Sequence, residues 1–169
     1  MESRDEPILT LKAMVVDHLQ TTLLRQDWQW QPSLSEAVEG LTAAHAAYKP
    51  APERHCIWQI VRHLILWKRA VLQAWDGDPP DGEQLEKDDW QEISGDEAAW
   101  QRDLRALLDV SNEYLHRVEG LNDADLSRSL SWYRGSDSIQ PLAMRLVRTT
   151  THDIYHAGQI RYLRALQGI

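Results

Sequence analysis

The stretch Thr151-His152-Asp153-Ile154-Tyr155-His156-Ala157-Gly158-Gln159-Ile160 sits inside the longest helical segment of the chain. Leu142, Leu146, Thr149, Ile160 and Leu163 recur around it at helical intervals, so one side of the segment is apolar. Residues four apart on a helix share a face, with Cβ atoms ~6 Å apart. His152 and His156 have that spacing and fall near the apolar side. The segment is predicted to begin near Ser138, with Pro141 in the first turn, where its missing N–H is tolerated. It runs to Gln167, before Gly168.

Three further segments carry the same period. The first covers about residues 8–25, with Ile8, Leu11, Val15, Leu19, Thr22 and Leu23 on one side. The second covers about 56–76, with Ile57, Ile60, Val61, Leu64, Trp67, Val71 and Trp75, and stops at Gly77-Asp78-Pro79-Pro80. The third opens where Ser94 and Glu97 have capping-box spacing and continues through Trp100, Leu104, Leu107, Leu108, Leu115 and Val118 to Gly120. A shorter helical piece is expected at Ser33-Leu34-Ser35-Glu36, another capping box, ending at Gly40. Pro50 and Pro52 then break the chain ahead of the second long segment. Residues 78–91 read as a polar loop and 122–135 as mostly irregular, with one turn at its start. No period-two run with hairpin punctuation is evident, nor any internal repeat. The expectation is an all-α fold: an up-down four-helix bundle with long connecting loops, forming a single domain over residues 1–169.

Composition narrows the function classes. The 26 acidic and 18 basic side chains give a formal net charge of −8, which argues against general nucleic-acid binding. Cys56 is the only cysteine, so no intrachain disulfide is available and a reducing, cytoplasmic setting is expected. The charged start Met1-Glu2-Ser3-Arg4-Asp5-Glu6 does not read as a signal peptide, and no apolar run reaches membrane-spanning length. Eight tryptophans, with no phenylalanine, are scattered in the manner of core anchors.

Two imidazoles four apart can chelate one ion through bonds of ~2.0–2.1 Å. A third ligand must come from another helix, and His63 is the best placed, sharing a face with Cys56, Ile60, Trp67 and Ala70. Three histidines suit Zn, Ni, Co or Fe and leave a coordination position open. The same spacing also fits hydrogen-bonded core histidines without a metal. His18 reads as a packed or partly exposed histidine, and His116 as solvated. His45 and His55 flank the proline-broken connection, from which His55 has some prospect of reaching the mouth of the site. Cys56 reads as an inert small hydrophobe. Arg145 and Arg148 precede His152 by one to two turns; a grip on a substrate carboxylate is conceivable, but an exposed bundle surface is the expected setting. No phosphate loop, zinc-protease signature, nucleophile elbow or di-iron Glu-x-x-His pattern occurs, so no catalytic side chain or organic cofactor site is assigned.

Three elements in order resemble the DinB-like superfamily, which includes YfiT-type metal-dependent hydrolases and bacillithiol S-transferases. They are Pro32-Ser33-Leu34-Ser35-Glu36-Ala37-Val38-Glu39-Gly40-Leu41, then Pro50-Ala51-Pro52 with His55-Cys56-Ile57-Trp58-Gln59-Ile60-Val61-Arg62-His63-Leu64-Ile65-Leu66-Trp67, then His152 to Ile160. The last is the most specific. The resemblance implies a divalent-metal site on His63, His152 and His156. It also implies close helix approach at Gly158, a ligand-orienting or helix-contact role for Gln159, and a homodimer. Function is then expected to be that of a metal-dependent thiol S-transferase or hydrolase acting on a small molecule, with a low-molecular-weight thiol as a candidate cosubstrate. The alternative is a non-catalytic metal- or small-ligand-binding module.

Overall fold

Residues 9–24 and 30–169 are described in the structure, a computed structural model. The predicted ends of the first segment, Ile8 and Arg25, lie outside the described residues. In chain order the elements are α1 (Leu11–Leu23), α2 (Leu34–Val38), α3 (Ala43–Ala47), α4 (Ile57–Trp75), α5 (Gly82–Asp88), α6 (Glu97–Glu119), α7 (Asp123–Ser127), β1 (Ser129–Ser131), β2 (Ile139–Pro141) and α8 (Leu142–Gln167). The four long helices, α1, α4, α6 and α8, form the expected all-α four-helix bundle. Around it, α1 packs on α8 and α6, while α4 packs on α6 and α8. The first and second long helices therefore stand across a diagonal, and α2 and α3 lie on the connection that spans it. Contact between α4 and α8, the seam that holds the histidines, does not depend on their being consecutive.

Local chemistry sets the helix ends. Thr10 caps α1 by accepting from the Ala13 N–H, and Asp123 takes the Leu11 and Lys12 N–H groups at 3.2 and 2.9 Å. Ser33 and Glu36 form the predicted capping box at α2. Gly168 ends α8 in the left-handed conformation, φ 73°, which suits a residue with no Cβ. Inside, Trp58, Trp100 and Trp132 are buried, and each indole N–H has an acceptor: Asp103, the Leu41 carbonyl and the Gln140 carbonyl. Placing each indole N–H on an acceptor removes the penalty of burying it.

The structure corrects several local expectations. Asp96, rather than Ser94, caps α6, accepting from Ala99 N–H at 2.9 Å, while Glu97 reaches back to the Ala43 N–H. The polar loop 78–91 contains α5. The stretch 122–135 carries α7 and β1, and β1 pairs antiparallel with β2 through Ser129↔Pro141, Leu130↔Gln140 and Ser131↔Ile139. That ribbon uses residues 139–141, so α8 begins at Leu142 with Pro141 as its cap, and the Leu142 N–H donates to the Arg128 carbonyl at 3.0 Å. Gly158 is exposed and a Cβ there would meet nothing within 4 Å, so helix approach is not its role.

One ion pair is sealed in the bundle. Lys68 Nζ lies 2.6 Å from Asp153 Oδ2, with side chains 1% and 0% exposed. The Tyr114 hydroxyl donates to the Lys68 carbonyl at 2.9 Å, and the ammonium sits 5.0 Å from the Tyr114 ring centroid. The contact ties α4, α6 and α8 together. Among the described residues no helix is long and apolar enough to cross a membrane.

Candidate metal centre

His63 lies midway along α4, among the buried Ile60, Val61, Leu64 and Ile65. Facing it across the seam are His152 and His156 of α8, flanked by the buried Asp153, Ala157 and Ile160. The three predicted histidines meet. Nε2 of His152 is 3.0 Å from Nε2 of His63 and 3.0 Å from Nε2 of His156, and the three ligand atoms lie within 4.8 Å of one another. His63 and His156 are buried, and His152 is half-buried.

The outer nitrogens decide which way the inner ones behave. Both carboxylate oxygens of Asp89 contact His63 Nδ1, at 2.7 and 2.8 Å. A carboxylate only accepts, so Nδ1 carries the hydrogen and Nε2 turns a lone pair inward. Asp89 is itself held, accepting from the Trp67 indole N–H and from the Trp90 backbone N–H, each at 2.9 Å. His156 Nδ1 lies 2.7 Å from Gln159 Oε1, and Gln159 Nε2 donates to the Tyr155 hydroxyl oxygen at 2.9 Å. The amide oxygen can only accept, so His156 also presents its Nε2 lone pair. Two inward lone pairs are thus fixed, and His152 can offer a single proton between them.

Burial makes this more costly for cations. Desolvation, with the neighbouring imidazoles, lowers His152 and His156 to about 4. Desolvation also lowers His63, against the opposing pull of Asp89. The His63–Asp89 contact is therefore a hydrogen bond from a neutral ring rather than an ion pair at neutral pH. Neutral imidazoles are the form a metal needs. Tetrahedral coordination with bonds of ~2.0–2.1 Å would separate the nitrogens by ~3.3 Å, close to the 3.0 Å between His152 and each of its two neighbours. The donor set fits a divalent ion.

Trp90 closes one side. Its indole stacks on His63 with centroids 4.1 Å apart and planes at 18°, and on its other face His55 stacks at 3.8 Å and 23°. Trp90 holds φ 56°, a conformation uncommon for a bulky residue. Two clefts meet at His152. The larger, about 730 Å³, is lined by His55, His63, Trp90, Tyr155, His156 and Gln159 among others. The smaller, about 220 Å³, lies between α4, α8 and the residues after β1.

The other candidates separate clearly. His55 is exposed and lines the larger cleft, so it does reach the mouth. Cys56 is buried at the start of α4, where desolvation raises its thiol pKa, in keeping with an inert role. His18 is half-buried on α1, His45 accepts from the Thr42 N–H at the start of α3, and His116 is exposed on α6. Arg148 is exposed on the helix surface, as expected, and donates to the Gln140 side chain. Arg145 is not a free surface arginine: it is half-buried, with its guanidinium 4.8 Å from the Trp132 ring centroid and 5.3 Å from that of Tyr133. Sequence reasoning misses Asp89 and Trp90. They come after a short helix inside a stretch whose composition signals only a loop.

These features define a class: a four-helix bundle carrying three inward-facing histidines from two of its helices. The chain belongs to the DinB superfamily, whose family model matches residues 25–160. It is similar in structure to YfiT from Bacillus subtilis, described as a probable metal-dependent hydrolase with an unusual four-helix bundle topology. The TM-score is 0.62 at 16% identity, covering 99% of this chain and 94% of that one, a likeness of fold. No curated protein matches the chain.

Proposed function

We propose that this chain is a metal-dependent enzyme of the hydrolase or thiol S-transferase type, acting on a small molecule with one divalent ion held by His63, His152 and His156. The supporting observation is the convergence of three neutral Nε2 atoms while the outer nitrogens of His63 and His156 are engaged by Asp89 and Gln159. Such an ion supplies Lewis acidity, lowering the pKa of a thiol or water in its open position.

The protein's own groups do the rest. Asp89 keeps the proton on His63 Nδ1, and Gln159 keeps that on His156 Nδ1, so both rings stay oriented as ligands. Trp90 covers His63 and excludes water from that side. The larger cleft opens the histidine cluster to solvent past His55 and Tyr155. Residues 1–169 would then act as one domain, working as a homodimer in the cytoplasm.

Elemental analysis of purified protein tests the assignment: about one divalent ion per chain is expected, and His152→Ala is expected to lose it. Near-stoichiometric metal retained by that variant overturns the ligand set. With cobalt in the site, an absorption shift on adding a small thiol favours transfer to a thiol, and a shift with hydroxide alone favours hydrolysis. A spectrum unmoved by either favours a non-catalytic binding module.

A further inference from the structure

The smaller cleft holds two arginines that nothing in the triad requires. Arg145 and Arg148 line it together with Trp67, Trp132, Tyr133 and, at its inner end, His152. Three arginines in this acidic chain find carboxylates: Arg117 pairs with Asp76 and Glu113, Arg62 with Asp103, and Arg134 with Asp78. Arg145 and Arg148 pair with none among the described residues. Arg148 donates only to the Gln140 side-chain oxygen, and the buried Arg145 Nε has no acceptor.

Arg145 is also held in place. Rings of Trp132 and Tyr133 flank its guanidinium, and Trp132 is buried and hydrogen-bonded to the Gln140 carbonyl of β2. A guanidinium positioned by aromatic faces keeps N–H groups for an incoming anion at little further entropic cost. Along α8, Arg148 and Arg145 precede His152 by one and two turns, a rise of ~6 and ~10 Å. An anion gripped by Arg145 can therefore belong to a molecule whose other end reaches His152, provided the molecule is short. The cleft volume, about 220 Å³, and its apolar wall of Trp67, Ala70 and Val71 set the same limit.

We propose that this cleft binds the carboxylate of a small substrate with a flat apolar body, gripped by Arg145 with Arg148 at the rim, and directs its other end toward His152. This rests on the reading of the histidine cluster as the reacting centre, and it names the substrate class for that centre. Arg145 is a binding residue and the aromatic pair positions it.

Benzoate and its uncharged analogue benzamide are the probes, titrated by calorimetry into protein as purified and after chelator treatment. Benzoate is expected to saturate in both samples, and benzamide to bind about tenfold or more weakly, the value of a charge-assisted contact. Arg145→Met is expected to erase that preference, Arg145→Lys to restore part of it, and Arg148→Ala to reduce it a few-fold. Metal content should be unchanged in all three variants. If Arg145→Met fails to fold, Arg148→Ala and the benzoate–benzamide comparison on the unaltered protein still decide. Equal affinity for the two probes overturns the proposal. So does benzoate binding that vanishes on chelation and survives Arg145→Met, because the carboxylate then goes to the ion. Protein that takes up no divalent ion when one is supplied, yet still prefers benzoate, would overturn the metal assignment and leave this cleft standing.

Discussion

Two polar clusters bridge α4 and α8, and they are built on opposite principles. Lys68 and Asp153 form a closed unit: a cation and an anion 2.6 Å apart, almost wholly sealed, each neutralising the other. His63, His152 and His156 form an open one. Their inner nitrogens meet at 3.0 Å with no opposing charge, and clefts lie on both sides of His152. Asp153 stands beside His152 in sequence yet faces elsewhere, because one residue turns ~100° around a helix. Burial of polar groups is common to both clusters and so does not mark function. What differs is that one cluster pairs opposite charges, while the other turns three neutral nitrogens toward a shared space beside the clefts.

That contrast can be broken by mutation. Asp153→Ala is expected to cost most, about 3–5 kcal/mol in chemical denaturation, since it leaves the Lys68 ammonium buried and unpaired. Replacing both partners by apolar residues of similar volume should recover most of the loss, because a buried ion pair adds little beyond its own desolvation. A loss below about 1 kcal/mol for Asp153→Ala would mean that water already reaches Lys68, and the sealed half of the comparison would fail.

Asp89→Ala comes next. It should weaken metal affinity about 10–100-fold, or ~1.4–2.7 kcal/mol, while helix content stays as it was. Competition with a chromogenic chelator measures this. Unchanged affinity would show that the His63 ring is oriented by Trp90 and not by the carboxylate.

A third effect is on acid stability without metal. His152 and His156 have folded pKa values of about 4, below the ~6.5 of an unfolded histidine, and His63 is shifted the same way. Between these values the unfolded chain takes up protons that the folded chain does not. Their contribution is therefore present above pH ~6.5 and lost as pH falls toward 4. Melting of chelator-treated protein across that window should show the decline, flattened in a His152→Ala/His156→Ala double variant. A profile identical in both would place the titration elsewhere.

Much of this was legible in the chain itself. Spacing placed His152 and His156 on one helical face, periodicity aligned His63 with its apolar neighbours, and Ser33 with Glu36 and Gly168 marked helix ends that the structure keeps. The remainder is tertiary. Asp88 and Asp89 are chemically alike, and only the fold brings Asp89 to His63, while Asp88 is exposed and accepts from the Gln84 amide. β1 and β2 have three residues each, too short for alternation to register, and form where Trp132 packs. Arg145 looks like a surface arginine until that ribbon sets two aromatic rings against it.

Asp89 also comes from outside the bundle proper, on the connection between α4 and α6 just after α5. Selection can therefore change the group behind His63 at Asp89 while the three imidazoles stay on α4 and α8. Ligand geometry and ligand basicity become separately heritable traits. A scaffold divided in this way can diversify its chemistry by loop turnover while its core sequence stands still, a route to new reactions that never passes through an unfolded ancestor.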